Sequence, residues 1–417
     1  MFSILNWRIG FYLAIRQIRR GNVWTTSLIV FVMILTFLNL VVVSGILVGL
    51  LQGAIDALRT SYTSDVIISS PNDKEFIENS PDLIALIATL EEVESYTARY
   101  MEGGSLEANY QTRRESDKPN TAGAQLRGID PLAEDRVTGL SEFIVEGEYL
   151  SPGDYDAILL GSYLLEQYIP IDTPTFSTLE DTGVGSKVRV KVGGITREVT
   201  VKGILESKVD EISLSAYMVD SQFRGLIGRT DGNVDEISLK LKAGASPEAV
   251  RDALLLRGAG THATVQTYLD AQPQAFRDII DTFNMLGTAF SSIGLIVASI
   301  TIFIVVFINA ITRRKFIGIL KGIGIEGRAI EISYIIQSMF YAVCGSAVGL
   351  ALVYGLLVPY FRDNPIDFPF SDGILVAPPD ETLFRVGLLI VSTIVAGFVP
   401  AWIIVRKNTL DSILGRN

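Results

Sequence analysis

The sequence predicts an α-helical membrane protein with four transmembrane helices and a large extracytoplasmic α+β domain between the first and second. Three observations predict it. Residues 21–55, 282–312, 332–361 and 386–405 contain no Asp, Glu, Lys or Arg, and each reaches the roughly 20 residues an apolar helix needs to cross a bilayer. The stretch between the first two runs has ordinary globular composition and is long enough to fold as a domain. The chain as a whole, 48% hydrophobic and 19% charged, is too apolar for an average soluble protein and too polar for membrane helices alone.

Taken in order, residues 1–20 form a basic segment. Over 7–20 (WRIGFYLAIRQIRR) it places Trp7, Phe11, Ala14, Ile15 and Ile18 on one helical face and most of its arginines on another, the pattern of a helix lying on membrane lipid. Residues 21–51 are the first transmembrane helix and the start of a stalk. The uncharged run is far longer than the apolar core of a cleaved signal peptide, so it stays as an anchor. Residues 52–281 are the extracytoplasmic domain, 282–312 the second helix, 313–331 a basic loop, 332–358 the third helix, 359–385 an outer loop, 386–405 the fourth helix and 406–417 a tail.

Orientation follows from the basic residues. The N-terminal segment holds Arg8, Arg16, Arg19 and Arg20 with no acid, the 313–331 loop holds Arg313, Arg314, Lys315, Lys321 and Arg328 against two glutamates, and the tail holds Arg406, Lys407 and Arg416 against Asp411. These three belong in the cytoplasm, with both termini. Since the whole chain carries −11, the acids gather in 52–281 and in the outer loop with Asp363, Asp367, Asp372, Asp380 and Glu381. The expected location is the cell (inner) membrane, multi-pass. An acidic outer domain argues against nucleic acid as a partner.

Inside the domain, 65–69 (DVIIS) reads as a strand and 82–90 as a helix behind Ser80-Pro81, with Leu83, Leu86 and Leu90 on one face; a strand resumes near Val93. That is a βαβ beginning. Residues 108–122 read as a solvated hairpin tip or a flexible loop. Alternation in 187–192 (KVRVKV) and 198–202 (EVTVK) around Gly193-Gly194 is a hairpin signature, and Ser246-Pro247-Glu248 opens a further short helix to about Leu256.

Enzymatic handles are missing. One Cys and one His, Cys344 and His262, exclude an intramolecular disulfide and leave no His/Cys zinc site or histidine-based triad. Residues 183–187 (GVGSK) lack the spacing of a phosphate loop and run into a strand rather than a helix. Acidic pairs such as Glu91/Glu92 and Asp210/Glu211 come with no apolar pocket or metal partner. No catalytic, cofactor-binding or metal-binding residue is expected, and ATP hydrolysis would come from another polypeptide.

One span, a large outer domain and three more spans, with basic segments inside, resembles the MacB/FtsX-type ABC transporter permeases. The loop 313–324, RRKFIGILKGIG, resembles that family's segment after the second span, where the chain meets the ATPase. Arg313, Arg314, Lys315, Gly318, Lys321, Gly322 and Gly324 match, and Phe316 stands where the family commonly has glutamate. In the outer domain 127–131 (RGIDP), 158–162 (ILLGS), 184–192, 201–205 (VKGIL) and 234–241 (VDEISLKL) follow the order of the lipoprotein-releasing, LolC/LolE-like branch, with an insertion-like stretch at 170–182. The resemblance implies a porter-like subdomain of ferredoxin-like βαβ units with a β-rich insert. It further implies a separate ABC ATPase subunit, a second permease copy or paralogue, no cofactor, and a mechanical cycle acting on a lipophilic or lipoprotein substrate. An FtsX-like regulator of an extracytoplasmic partner, or a macrolide or peptide efflux permease, stays open as an alternative.

Overall fold

The computed structural model describes residues 4–114, 118–169, 177–272, 274–368, 371–373 and 375–406. The tail beyond Arg406, most of the expected insertion at 170–182 and part of the polar loop at 108–122 lie outside the described residues. The chain forms two compact units, divided between Leu51 and Gln52 and between Phe276 and Arg277.

Four apolar helices are long enough to cross a membrane, Val23–Thr63, Arg277–Thr312, Gly327–Asp363 and Pro379–Val405; all lie in the first unit except the end of the first helix, from Gln52 on, which belongs to the second. Asn22 caps the first, its Oδ1 accepting from the Trp24 N–H at 3.0 Å, as short polar side chains do at helix starts. One expectation from sequence needs correcting. Asp380, Glu381 and Arg385, read as outer loop, lie in the first turns of the fourth helix. A proline at the start and acids in the first turn favour helix there, so the charges that end the apolar run do not end the helix. The third helix likewise runs on to Asp363 through a π turn at Val353–Leu357.

The helices meet at small residues. A Cβ on Gly345 would fall 2.4 Å from the Met33 Cβ and 3.1 Å from its backbone carbon, and one on Gly349 2.2 Å from the Phe37 ring. The first and third helices therefore touch nearly backbone to backbone, the usual device where lipid offers no hydrophobic drive to associate. Gly397 on the fourth helix approaches Ser338 on the third in the same way. Gly345→Val is expected to lower the stability of the solubilised chain by about 1–3 kcal/mol through overpacking. Gly355→Val, where an added Cβ meets nothing, serves as the control, both read as thermal unfolding in detergent.

The N-terminal helix, Ile4–Arg19, buries Asn6, Gly10, Leu13 and Ala14. A Cβ on Gly10 would meet Ile332 and the Ala329 carbonyl oxygen of the third membrane helix within 3 Å, and Gln337 Nε2 donates to Gln17 Oε1 at 2.5 Å. The face set against the third helix is thus partly polar and differs from the apolar one read from sequence. Trp7, Phe11 and Ile15, one turn apart, remain partly exposed.

In the second unit ten strands share one sheet: β1 (Val66–Ser69), β2 (Val93–Ala108), β3 (Asn120–Ile129), β4 (Ile144–Gly147), β5 (Ala157–Gly161), β6 (Lys187–Val192), β7 (Ile195–Leu205), β8 (Ser215–Val219), β9 (Glu236–Leu241) and β10 (Thr264–Thr267). At one end the order β10-β1-β9-β2 is antiparallel throughout. The helices Ser80–Ile87 and Pro247–Leu256 connect β1 to β2 and β9 to β10. That is the ferredoxin-like split βαβ arrangement, with β3 to β8 inserted between its second and third strands. Strand β2 belongs to both parts: its first half pairs with β9 and its second half with β3 and β6. Gly193 and Gly194, with φ of 54° and 81°, make the tight β6/β7 turn, which requires positive φ at both central positions. Lys187 of the glycine-rich stretch pairs across that hairpin with Glu198 at 2.7 Å.

Candidate functional site

Two constellations stand out, one in each unit. In the membrane unit, the loop after the second helix folds as a short helix, Arg314–Gly322. Its end is a Schellman motif: the Ile325 N–H donates to the Leu320 carbonyl at 3.0 Å and the Gly324 N–H to the Lys321 carbonyl at 3.1 Å. Such a cap needs a left-handed residue, and Gly324 supplies it with a φ of 95°. Arg313 precedes the helix, and Arg314 and Lys315 occupy its first turn with no acid there. Cations at a helix N-terminus oppose the macrodipole by about 0.3–1 kcal/mol each, so local helix stability does not account for them.

The helix has an inner and an outer face. Ile317, Gly318 and Leu320 are buried. Lys321 turns inward, its Nζ donating to the Val405 carbonyl oxygen at 2.9 Å and so satisfying one of the last carbonyls of the fourth membrane helix. Gly322 is exposed with open space around it. Outward stand Phe316, Ile319 and Ile323, 47%, 52% and 71% exposed, three and four residues apart and hence on one stripe. The resemblance marks Phe316 only as a departure from glutamate; in the structure it begins an apolar surface that the sequence reading missed.

In the outer unit, the helix that begins at Val23 ends in a π turn, Arg59–Thr63, and its Tyr62 enters a buried ionic cluster. Arg99 on β2, 1% exposed, donates from Nε and Nη2 to Glu134 at 3.0 and 2.7 Å. Its Nη1 donates to Glu236 on β9 at 2.5 Å and its Nη2 to the Tyr62 carbonyl at 2.9 Å. The Tyr62 hydroxyl donates to Glu236 at 2.8 Å and accepts from Arg127 Nη1 on β3 at 2.9 Å. Both guanidinium groups lie over the Tyr62 ring, 4.8 and 4.7 Å from its centroid, at cation–π distance.

Two arginines and two glutamates balance in charge, and Thr97 and Thr138 donate to Glu134 at 2.9 and 3.1 Å. Burial opposes ionisation of Glu134, but the Arg99 guanidinium and these donors outweigh it and hold the carboxyl below its ordinary value. Burial pushes the Tyr62 phenol well up, so it stays protonated. One turn before the end of the helix, Arg59 pairs with Asp65 at 2.5 Å. The cluster is illegible in sequence because it depends on register: Arg99 faces Glu236 across β2/β9, a pairing between positions far apart in the chain.

Residues 26–255 match the family model of the MacB-like periplasmic core domain, and residues 288–409 that of the FtsX-like permease C-terminal region. The chain belongs to the MacB/FtsX family of ABC transporter permeases. Among curated relatives, a macrolide export ATP-binding/permease protein MacB of Bdellovibrio bacteriovorus is 27% identical over 180 residues, 41% of this chain and 27% of that protein. An uncharacterised ABC transporter permease protein of Mycobacterium tuberculosis is 26% identical over 234 residues, 55% of this chain and 25% of that protein. The MacB/FtsX permease described here thus spans about a quarter of the length of the curated relatives it matches. The periplasmic region of MacB from Actinobacillus actinomycetemcomitans is 17% identical, covering 52% of this chain and 94% of that one with a TM-score of 0.36.

Within this permease neither constellation offers acid–base or nucleophilic chemistry. Every carboxylate of the outer cluster is engaged by a guanidinium, hydroxyl or phenol, and the short membrane-side helix presents carbon and cations. What the structure shows is an exposed apolar stripe on the short helix and a buried ionic network around the end of a long one.

Proposed function

We propose that this chain is the permease subunit of an ABC transporter in which a separate ATPase binds the helix Arg314–Gly322. Nucleotide-driven closure would move that helix, and the long first and second membrane helices would carry the motion to the outer domain. The observation that carries the reading is Tyr62: it lies in the last turn of a continuous helix beginning at Val23, and two buried arginines, Arg99 and Arg127, pack over its ring. A displacement of the helix then reaches the sheet through charge-assisted hydrogen bonds rather than through a slack linker. In this reading 1–20, 313–331 and 406–417 face the cytoplasm and 52–281 faces outward. Arg313, Arg314 and Lys315 hold the loop at the anionic inner leaflet or meet acids of the ATPase, which accounts for cations that their helix dipole disfavours. The second membrane helix, only 18% buried against 44% for the first and fourth, offers a face to a second permease copy or paralogue.

The favoured substrate is lipophilic, a lipoprotein drawn from the outer leaflet, since the first, third and fourth membrane helices are closed on one another through small residues rather than arranged around a polar channel. The name of the MacB relatives favours a second reading, macrolide export. ATPase activity of the permease with its cognate ATPase in nanodiscs separates them. Stimulation by acylated lipoprotein alone is expected; stimulation by a macrolide alone transfers the function to drug efflux. A stable complex that responds to neither makes the chain an FtsX-like transmitter to an outer partner.

A further inference from the structure

A cavity of about 490 Å³ opens between the first, second and fourth membrane helices, within the ~300–1,000 Å³ of ordinary ligand sites. Its walls are apolar, with Leu47, Leu295 and Leu388 among them, and Ser44, Thr288 and Ser291 add hydroxyls. Glu381 and Arg385 complete it. Depth follows from helix rise. At 1.5 Å per residue Ser44 lies ~32 Å from Val23 along the first helix and Arg385 ~30 Å from Val405 along the fourth. Both distances match the ~30 Å hydrocarbon thickness. The charged end of the cavity therefore sits at the head-group level of the leaflet opposite the basic loop, and Leu295, ~26 Å from Thr312 along the second helix, sits just inside the hydrocarbon.

Arg385 is the unusual member. Its side chain is 16% exposed, and both of its hydrogen bonds leave from one nitrogen: Nη2 donates to Ser44 Oγ at 2.7 Å and to Glu381 Oε2 at 3.2 Å. Nε and Nη1 find no acceptor among the described residues, nor does the Ser291 hydroxyl. A guanidinium beside hydrocarbon with half its fork unused is costly, and the remaining donors have the geometry that matches a phosphate. Four residues away, Glu381 is half exposed and stands as an acceptor for a cation. One positive and one negative group, at head-group depth beside an apolar slot, complement a zwitterionic lipid.

We propose that the cavity binds one glycerophospholipid with a primary-amine head group, its phosphate on Arg385, its ammonium on Glu381, and the upper part of one acyl chain along Leu47, Leu295 and Leu388. On the lipoprotein reading proposed above, the site is separate from that of the substrate, since a lipoprotein's acyl-glyceryl anchor carries no phosphate for Arg385 to hold.

The test uses the full chain, stripped in detergent, exchanged into nanodiscs of phosphatidylethanolamine, phosphatidylglycerol or uncharged diacylglycerol in a neutral-lipid background, and read by native mass spectrometry after mild release. One retained phosphatidylethanolamine per chain is expected, with phosphatidylglycerol bound more weakly and diacylglycerol not retained. R385Q should lower retention of both phospholipids about tenfold, the loss of charge-assisted hydrogen bonds, while E381Q should abolish only the preference for the amine head group. If R385Q fails to fold, Gly287→Leu decides, because it fills the cavity at a position where an added Cβ comes no closer than 3.6 Å to Leu47 and leaves Arg385 intact; it too should lose the lipid. Equal retention by wild type and both variants, or retention of diacylglycerol as firmly as of phospholipid, overturns the proposal.

Discussion

Arg99→Leu in the polypeptide 52–276 should cost about 3–5 kcal/mol of stability, the range for breaking a buried ion pair from one side, read as a shift in the urea midpoint. The substitution leaves Glu134 and Glu236 in a buried site with their main cation gone and strips a donor from the Tyr62 carbonyl. The double variant Arg99→Leu/Glu134→Gln should recover part of that loss, because the second change removes an uncompensated charge. Acid should act on the same bond. The folded Glu134 carboxyl titrates below its ordinary value of 4.5, so its contribution is complete above that value and disappears as pH falls through the folded pKa. Glu134→Gln should flatten the acid limb of the stability profile while leaving the neutral region lower. An acid limb unchanged by this substitution would show that the cluster contributes nothing through ionisation.

The membrane helices were legible because buried helices of soluble proteins seldom run a bilayer's length without a charge, and the βαβ beginnings because Ser80-Pro81 and Ser246-Pro247 mark helix starts locally. Gly193-Gly194 fixed its hairpin for the same reason: the turn's backbone demands those residues wherever they sit. Legibility fails where the deciding partner is distant. Nothing near Arg99 announces Glu236, and nothing near Lys321 announces the Val405 carbonyl. The N-terminal helix divides in the same way. Its stripe of Trp7, Phe11 and Ile15 reads as a surface for lipid and is exposed, whereas the contact with the third membrane helix is made by Gly10 and Gln17, through close approach and hydrogen bonding that nothing nearby in sequence announces. Charges at span ends mislead in the opposite direction, as Glu381 and Arg385 show.

The short helix at the basic side gives the second large effect. If the ATPase docks on its outer stripe, replacing Phe316, Ile319 and Ile323 together by Asp should reduce association with the cognate ATPase about a hundredfold or more. Apolar anchors at the centre of an interface are each worth about 1–2 kcal/mol or more, and every factor of ten needs ~1.4 kcal/mol. The matched basic and glycine residues should behave differently from one another. Lys321→Ala removes the bond to Val405 and should loosen the end of the fourth helix, lowering thermal stability with little direct effect on ATPase affinity. Gly324→Ala forces a Cβ into a left-handed residue and should distort the turn, weakening both. Lys315→Ala should relieve the conflict with the helix dipole and slightly stabilise the helix while weakening attachment to an acidic partner or leaflet. Pull-down from nanodiscs paired with a melting curve separates these outcomes. Loss of the ATPase in the Lys321 variant alone, with the triple Asp variant still bound, would move the docking surface from the apolar stripe to the basic edge.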